Sequence, residues 1–140
     1  MPDANDGQAV PQVVRILEGV LSSIQAVVGE GAAQALLRYG AFEEGRRLAT
    51  ERDFTDIDEA ARHVGHLLAC EASARSDDDT VHVTVGGCAA LAPRSSVLDT
   101  LLLGLFEGVI HGTLKRRLRG TIGTRDDAGA AEATFRPDDA

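Results

Sequence analysis

The longest periodic pattern in the chain lies near its N-terminus. From Val10 onward, apolar residues recur every three or four positions, at Val13, Val14, Leu17, Val20, Leu21, Ile24, Val27 and Val28. This spacing predicts an amphipathic helix of about five turns, which Gly29 and Gly31 are expected to end. Because the apolar band is wider than one stripe, we expect one side to face the core and the other a second copy of the chain.

Two more helices are predicted in the first half of the chain. Segment 36–49 carries Leu36, Tyr39, Phe42 and Leu48 at helical spacing. Asp56 or Asp58 is a suitable N-cap for a third helix that should end near Ala72. The inward-facing residues of that third helix are Ile57, Ala60, Ala61, Val64, Leu67 and Leu68.

Strands are predicted on both sides of a fourth helix. The polar segment 73–79 is expected to be a connector, and Val81 to Val85 alternates apolar and polar residues as a half-buried strand does. Cys88 to Ala92 is a candidate short strand. Segment 97–118 is apolar on nearly every side, which predicts a helix in the middle of the fold. Segments 118–124 and 131–136 are predicted to form a terminal hairpin.

This order of elements predicts an α+β fold, with three N-terminal helices and one long central helix packed on a small antiparallel sheet. Residues 10–136 are expected to form a single domain. Residues 1–9 and 137–140 have little to bury, so we expect a disordered N-terminal segment and a frayed C-terminus.

Composition and charge narrow the class of protein. A net charge of −8 has the wrong sign for binding nucleic acid through its phosphates, so no nucleic acid partner is expected. The longest apolar run, 97–110, is too short for a bilayer and contains Asp99 and Glu107, so no membrane insertion is expected. The acidic N-terminus does not resemble a secretion signal, and Cys70 and Cys88 are expected to be unpaired, which predicts a cytoplasmic protein.

The chain carries no recognisable catalytic motif. It has no Gly-x-Ser-x-Gly elbow, phosphate loop or dinucleotide fingerprint, so we expect no enzyme, no catalytic residue and no cofactor. His63, His66 and Cys70 share one face of the third helix, and each can ligate zinc or haem iron. With no fourth ligand nearby in the sequence, no metal site is predicted, although a metal at these residues stays open.

The central helix carries a row of glycines beside two polar residues. Gly104, Gly108 and Gly112 each cost roughly 0.5–1 kcal/mol relative to alanine, so another element is expected to lie close to them. That element is a ligand, a dimer partner or, as the favoured interpretation, an N-terminal helix of the same chain. Glu107 and His111 lie one turn apart and form either the polar end of a pocket or a solvent-exposed edge.

Aromatic and basic side chains also allow two interpretations each. Tyr39, Phe42 and Phe106 are suited to lining a cavity, or simply to filling the core. The basic residues of segment 115–119 suit the negative C-terminal end of the helix dipole. Contact with DNA or phospholipid is the alternative for this segment.

Three segments carry a resemblance to a known family. They are 36–49, the Val81–Val85 strand, and 102–110 followed by a hairpin that ends in Ala133-Thr134-Phe135. In this order they resemble the 4-vinyl reductase-like (hydrocarbon-binding) domain family over about residues 12–136. The resemblance implies a fold similar to small subunits of a vesicle-tethering complex, which hold an acyl chain, and to sensor domains that enclose aromatic hydrocarbons.

One departure from that family concerns zinc. The sensor branch binds zinc through cysteines of the terminal hairpin, but Arg125 and Ala133 stand where the last two cysteines would align. Cys88 lies too early in the chain to be the first ligand. No zinc site is therefore carried over from the resemblance.

The resemblance and the patterns together predict a non-enzymatic binding or sensory domain. It would act as a homodimer through the Val13–Val28 helix and enclose an apolar, lipid-like or hydrocarbon ligand between the central helix and the first two helices. The candidate ligand-binding residues are Tyr39, Phe42, Leu102, Phe106, Glu107, Ile110 and His111. The alternatives are a structural or adaptor protein with a filled core, and a carrier or reductase accessory protein in tetrapyrrole pigment metabolism.

Overall fold

The computed structural model describes residues 16, 19–68, 70–86, 96–123 and 131–137. Within these residues the chain has the predicted α+β fold, with four helices and a four-stranded sheet; α3 and α4 contact the sheet, and α2 packs on α4. Helix α1 includes residues 19–28, and the other helices are α2 (Glu30–Arg52), α3 (Ile57–Leu67) and α4 (Ser96–Leu114). The strands are β1 (Glu71–Asp77), β2 (Thr80–Gly86), β3 (Leu118–Ile122) and β4 (Ala131–Pro137).

The four strands lie in the order β1-β2-β4-β3, and every neighbouring pair is antiparallel. The β3-β4 hairpin was predicted, and it joins the sheet through β4, with Ala133 opposite Val83. Pro137, predicted to be in a frayed terminus, is the last residue of β4. Residues 1–9, 88–92 and 138–140 lie outside the described residues.

Strand β1 corrects the prediction of a polar connector at 73–79. Its residues alternate between an exposed polar face and a face made of the small side chains Ala72 and Ala74. Two alanines make a weak apolar signal, so the strand was missed. Asp78, with φ 56°, is in the tight turn that follows β1.

The ends of α3 show how it is fixed to the sheet. Asp56, one of the two predicted caps, accepts a hydrogen bond from the backbone N–H of Glu59 at 2.8 Å. The other candidate, Asp58, instead accepts from the N–H of Ala74 on the edge strand β1 at 2.9 Å. The helix ends at Leu67 rather than near Ala72, because the chain turns there to begin β1.

The hydrophobic core lies between one face of the sheet and the helices α3 and α4. Helix α4 is buried on most sides, as its sequence predicted. It ends at Leu114 rather than at 118, because Lys115 adopts a left-handed conformation with φ 59°. The largest fully buried side chains of the core are Phe106, Phe135, Ile110, Leu118, Val64, Val81, Val83 and Val109.

The glycine row of α4 lies against α2 of the same chain, which confirms the favoured interpretation. A Cβ added to Gly108 would lie 2.0 Å from the carbonyl oxygen of Phe42. Gly45 on α2 is equally close, since its Cβ would lie 2.2 Å from the carbonyl oxygen of Leu105. The two backbones are therefore in direct contact, with no space for a ligand along this row.

Helix α1 makes a smaller contribution to the buried interior. Leu21 is buried against Ala33 and the half-buried Leu37. Gly29, with φ 91°, separates α1 from α2 as predicted, whereas Gly31 lies inside α2. Apolar side chains that remain exposed on α1 are Ile16, Val20, Ile24, Val27 and Val28. Val13, Val14 and Leu17 lie outside the described residues.

Two further findings concern membrane spans and cysteine pairing. None of the helices in the described part of the chain is long and apolar enough to cross a membrane. Cys70 is joined in a disulfide bond, so the expectation that it is unpaired is wrong. Cys88 lies outside the described residues. Because disulfides persist mainly in oxidising compartments, cysteine usage no longer supports a cytoplasmic location.

Candidate functional site

Glu107 is the one buried charged residue in the described part of the chain, with 7% of its surface exposed. Helix α4 places its carboxylate against α2 and β3. Arg38 of α2 donates from Nε to Oε1 at 3.0 Å and from Nη2 to Oε2. The backbone N–H of Gly120 donates to Oε2 at 2.8 Å. Both carboxylate oxygens are thus occupied in a two-pronged ion pair, the strongest kind that an arginine forms.

This ion pair also satisfies one residue on the β3 edge of the sheet. Strand β3 pairs with β4 on one side only. On its other side, the Gly120 N–H donates to Glu107, and the Gly120 carbonyl oxygen accepts from Arg38 Nη2 at 2.9 Å. The Arg38–Glu107 pair therefore satisfies backbone groups that would otherwise be left without partners.

Gly120 is required at this position by the strand beside it. A Cβ at Gly120 would lie 2.2 Å from Cε2 of Phe135, its partner across β3 and β4. The Phe135 ring is fully buried and packs against Phe106, with ring centroids 6.3 Å apart. The absence of a side chain at 120 thus makes room for a core aromatic ring.

An open groove of about 220 Å³ lies against the ion pair. We call it the arginine groove. It is lined by Ala35, Arg38, Tyr39, Phe42, Glu107, Arg117, Leu118 and Arg119. Helix α2 supplies one wall, and the start of β3 with the residue before it supplies the other.

The charge of the arginine groove is strongly positive. Arg38 is neutralised by Glu107, but neither Arg117 nor Arg119 forms an ion pair with any described residue. The Arg117 guanidinium lies over the Phe42 ring, with Cζ 5.0 Å from the ring centroid. Such a cation–π contact holds a guanidinium in place without neutralising its charge.

The seven predicted ligand-binding residues divide into two groups. Tyr39, Phe42 and Glu107 line the arginine groove. Leu102, Phe106, Ile110 and His111 are not among its lining residues, and the first three of these are buried in the core.

Glu107 pairs with Arg38 instead of with His111, the partner that its helical spacing suggested. The His111 ring lies 5.6 Å from the Phe42 ring, centroid to centroid. Its Nδ1 is buried and has no hydrogen-bond partner among the described residues. The carboxylate of Glu107 is therefore held by an arginine from another helix, and His111 takes no part in this pair.

Three lining arginines were not predicted as site residues. Arg117 and Arg119 belong to the basic segment 115–119, which was predicted to complement the C-terminal end of the helix dipole. That interpretation holds for Lys115, because its Nζ donates to the Gly112 carbonyl at 2.8 Å. Arg38 had no local signal, since its partner Glu107 is 69 positions away. The one available signal is Glu107 itself, because an acid within an apolar helix needs a cationic partner from another part of the chain.

The cluster of His63, His66 and Cys70 has a different environment from a metal site. In the described residues, no group of three or more potential ligands is arranged to hold a metal ion, and Cys70 is in a disulfide. His63 packs against Phe54, with ring centroids 5.5 Å apart. Burial, together with the positive charges of Arg52 and His66, lowers the pKa of His63.

Comparison with known proteins leaves the site to be interpreted from its own geometry. A scan of the chain against models of protein families finds no match, and a search of curated proteins finds no significant relative.

Proposed function

We propose that this protein is a non-enzymatic domain that binds a small molecule in the arginine groove. The observation that carries the proposal is a concave site in which two aromatic side chains lie beside two arginines without acidic partners. The Arg38–Glu107 pair joins α2, α4 and β3 at the base of the site, which makes it a largely preformed surface. Tyr39, Phe42 and Glu107 were already candidate ligand residues from the sequence.

The apolar part of the ligand packs against Tyr39 and Phe42. A volume of about 220 Å³ is below the usual range of roughly 300–1,000 Å³ for sites that enclose a drug-sized molecule. The groove therefore suits a short chain or a single ring. Because α2 and α4 touch along the glycine row, the site lies beside that helix pair, between α2 and the start of β3. The sequence had predicted a ligand between the helices themselves.

The resemblance to the 4-vinyl reductase-like family stays a prediction, and it favours the same class of ligand. Lipid-like and hydrocarbon molecules are what that family implies. The scarcity of aromatic residues, 4% of the chain, favours an aliphatic group over a stacked phenol. A cytoplasmic location also stays a prediction, one that the disulfide at Cys70 does not favour.

We also propose that the protein is a homodimer through α1. The exposed side chains Ile16, Val20, Ile24, Val27 and Val28 cover an arc of roughly 120° of that helix. A contiguous apolar surface of this kind is typical of an interface. A dimer by light scattering at micromolar concentration, lost in Val20→Glu/Val27→Glu but kept in Ser22→Glu, supports this assembly. A monomeric wild type contradicts it.

The alternative function is a structural or adaptor protein with a filled core. It is favoured by the burial of Leu102, Phe106 and Ile110 and by the backbone contact between α2 and α4. Under this alternative the arginine groove has no ligand, and substitutions at its rim do not change what the protein binds.

The test is mass spectrometry of organic extracts from protein purified under native conditions. Ala35→Trp places a large side chain at the rim of the groove without touching the core. Ala32→Trp is its matched control, because Ala32 is also exposed on α2 but does not line the groove. We expect a bound small molecule in the wild type and in Ala32→Trp, and its loss in Ala35→Trp. The absence of a bound molecule from all three proteins would favour the adaptor. The same molecule bound to all three would contradict the arginine groove as its site.

A further inference from the structure

The charge of the arginine groove is opposite to that of the whole chain. The chain has a net charge of −8, yet three arginines and a single glutamate line the groove. That glutamate, Glu107, is fully engaged by Arg38 and the Gly120 N–H. Arg117 and Arg119 are therefore left as two positive charges on an otherwise acidic protein.

A second observation on the neighbouring strand points the same way. Arg119 of β3 stands directly opposite Arg136 of β4. Side chains at such positions have Cβ atoms about 4.5–5.5 Å apart, and like charges there are destabilising. Arg136 also has no ion-pair partner among the described residues. An anion bound beside Arg119 would relieve this repulsion.

The position of Arg117 suits it to hold such an anion. One face of its guanidinium is covered by the Phe42 ring at 5.0 Å. Stacking of this kind uses the face of the guanidinium and leaves the N–H groups in its plane for carboxylate or phosphate oxygens. The same Phe42 ring lines the groove, so the charged and the apolar surfaces are adjacent.

We propose that the arginine groove is selective for small amphiphiles with an anionic group. Arg117 and Arg119 bind the carboxylate or phosphate oxygens, and Tyr39 and Phe42 contact the apolar part. This inference rests on the proposed function of the groove as a ligand site and adds the charge of the ligand. A polyanion such as nucleic acid would need an extended basic surface, which an acidic chain with one small basic groove does not supply.

The chain contains its own reporter for this binding. Tyr39 is the single tyrosine, and there is no tryptophan, so tyrosine fluorescence comes from the groove alone. The probes are octanoate, octyl phosphate, neutral octanol and inorganic phosphate, each titrated into the full chain at low and at high salt. We expect octanoate or octyl phosphate to bind at least tenfold more tightly than octanol, with an affinity that falls as salt is added.

Variants then assign the selectivity to particular arginines. Arg117→Gln and Arg119→Gln should each weaken binding of the anionic amphiphile by about 10- to 100-fold, the range for a hydrogen bond between charged groups. Arg116→Gln is the matched control, since Arg116 is exposed in the same segment but does not line the groove. It should leave the affinity unchanged.

The possible results separate the two proposals. Stronger binding of octanoate than of octyl phosphate identifies a carboxylate ligand, and the reverse order identifies a phosphate. Octanol binding as tightly as octanoate overturns the anion selectivity but leaves the groove as a ligand site. No fluorescence change with any probe, together with empty native extracts, contradicts the proposed function itself. If inorganic phosphate binds as tightly as octyl phosphate, the groove binds anions, but the proposed contact with an apolar part of the ligand is wrong.

Discussion

Replacement of Gly108 by alanine tests the contact on which the arrangement of α2 and α4 depends. The new Cβ would lie 2.0 Å from the carbonyl oxygen of Phe42 and 2.7 Å from the backbone nitrogen of Arg46. Both atoms belong to the α2 backbone, so neither can move aside as a flexible side chain would. The helices must separate until the shortest contact exceeds 3.0 Å, the lower limit for real Cβ atoms.

The expected loss of stability follows from this separation. Overpacking of a well-packed interior costs about 1–3 kcal/mol, and sometimes more. A gap of 0.5–1 Å also removes roughly a quarter to a half of the dispersion energy of the atoms that it separates. Alanine returns about 1 kcal/mol through its better helix propensity. The free energy of unfolding of Gly108→Ala should therefore fall by about 2 kcal/mol, or more if Arg38 is drawn away from Glu107.

Urea unfolding followed by circular dichroism measures this change, provided that the slope with urea concentration stays constant. Gly40→Ala is the matched control on α2, because a Cβ there meets no atom within 4 Å. It should raise the free energy of unfolding by about 0.5–1 kcal/mol. A Gly108→Ala protein as stable as the wild type would refute the direct backbone contact.

Three further predictions concern the groove and α3. Glu107→Gln should lower the free energy of unfolding by about 1–3 kcal/mol, because Arg38 loses its charge partner. A double-mutant cycle with Arg38→Gln should show coupling between the two residues. Additive effects of the two substitutions would contradict the pairing. Gly120→Ala should cost about 1–3 kcal/mol, since its Cβ would overlap the buried Phe135 ring; partial rescue by Phe135→Leu checks the cause. Because burial lowers the pKa of His63 in the folded state, the unfolded chain binds the proton more readily. Stability from His63 is complete above its unfolded pKa near 6.5 and falls as the pH drops toward the lower folded value, so His63→Gln should flatten urea midpoints measured between about pH 7 and pH 5.

Local patterns were sufficient for most of the secondary structure. Helical spacing identified α2 and α3, a segment apolar on nearly every side identified α4, alternation identified β2, and turn residues identified the β3-β4 hairpin. These signals are local, because a helix or a half-buried strand repeats its buried side at a set interval along the chain. The edge strand β1 escaped because its buried face consists of alanines, which carry little apolar signal.

The candidate site was predicted less completely. Tyr39, Phe42 and Glu107 were selected from the sequence, and all three line the arginine groove. Leu102, Phe106 and Ile110 were selected on the same grounds but belong to the core. An apolar side chain on a helix face has the same pattern whether it meets a ligand or another helix, so the sequence alone could not separate the two.

The amino-acid sequence determined the type and order of the elements, through periodicity, capping and turn residues that act over a few positions. Tertiary packing determined which charges meet. Arg38 and Glu107 are 69 positions apart, and they pair because the glycines of α4 bring the backbone of α2 into contact with it. The same close contact of α2 with α4 places Phe42 beneath Arg117, whereas the register of the β3-β4 hairpin sets Arg119 opposite Arg136. A positive groove on an acidic chain is thus a product of long-range contacts, which no local pattern encodes.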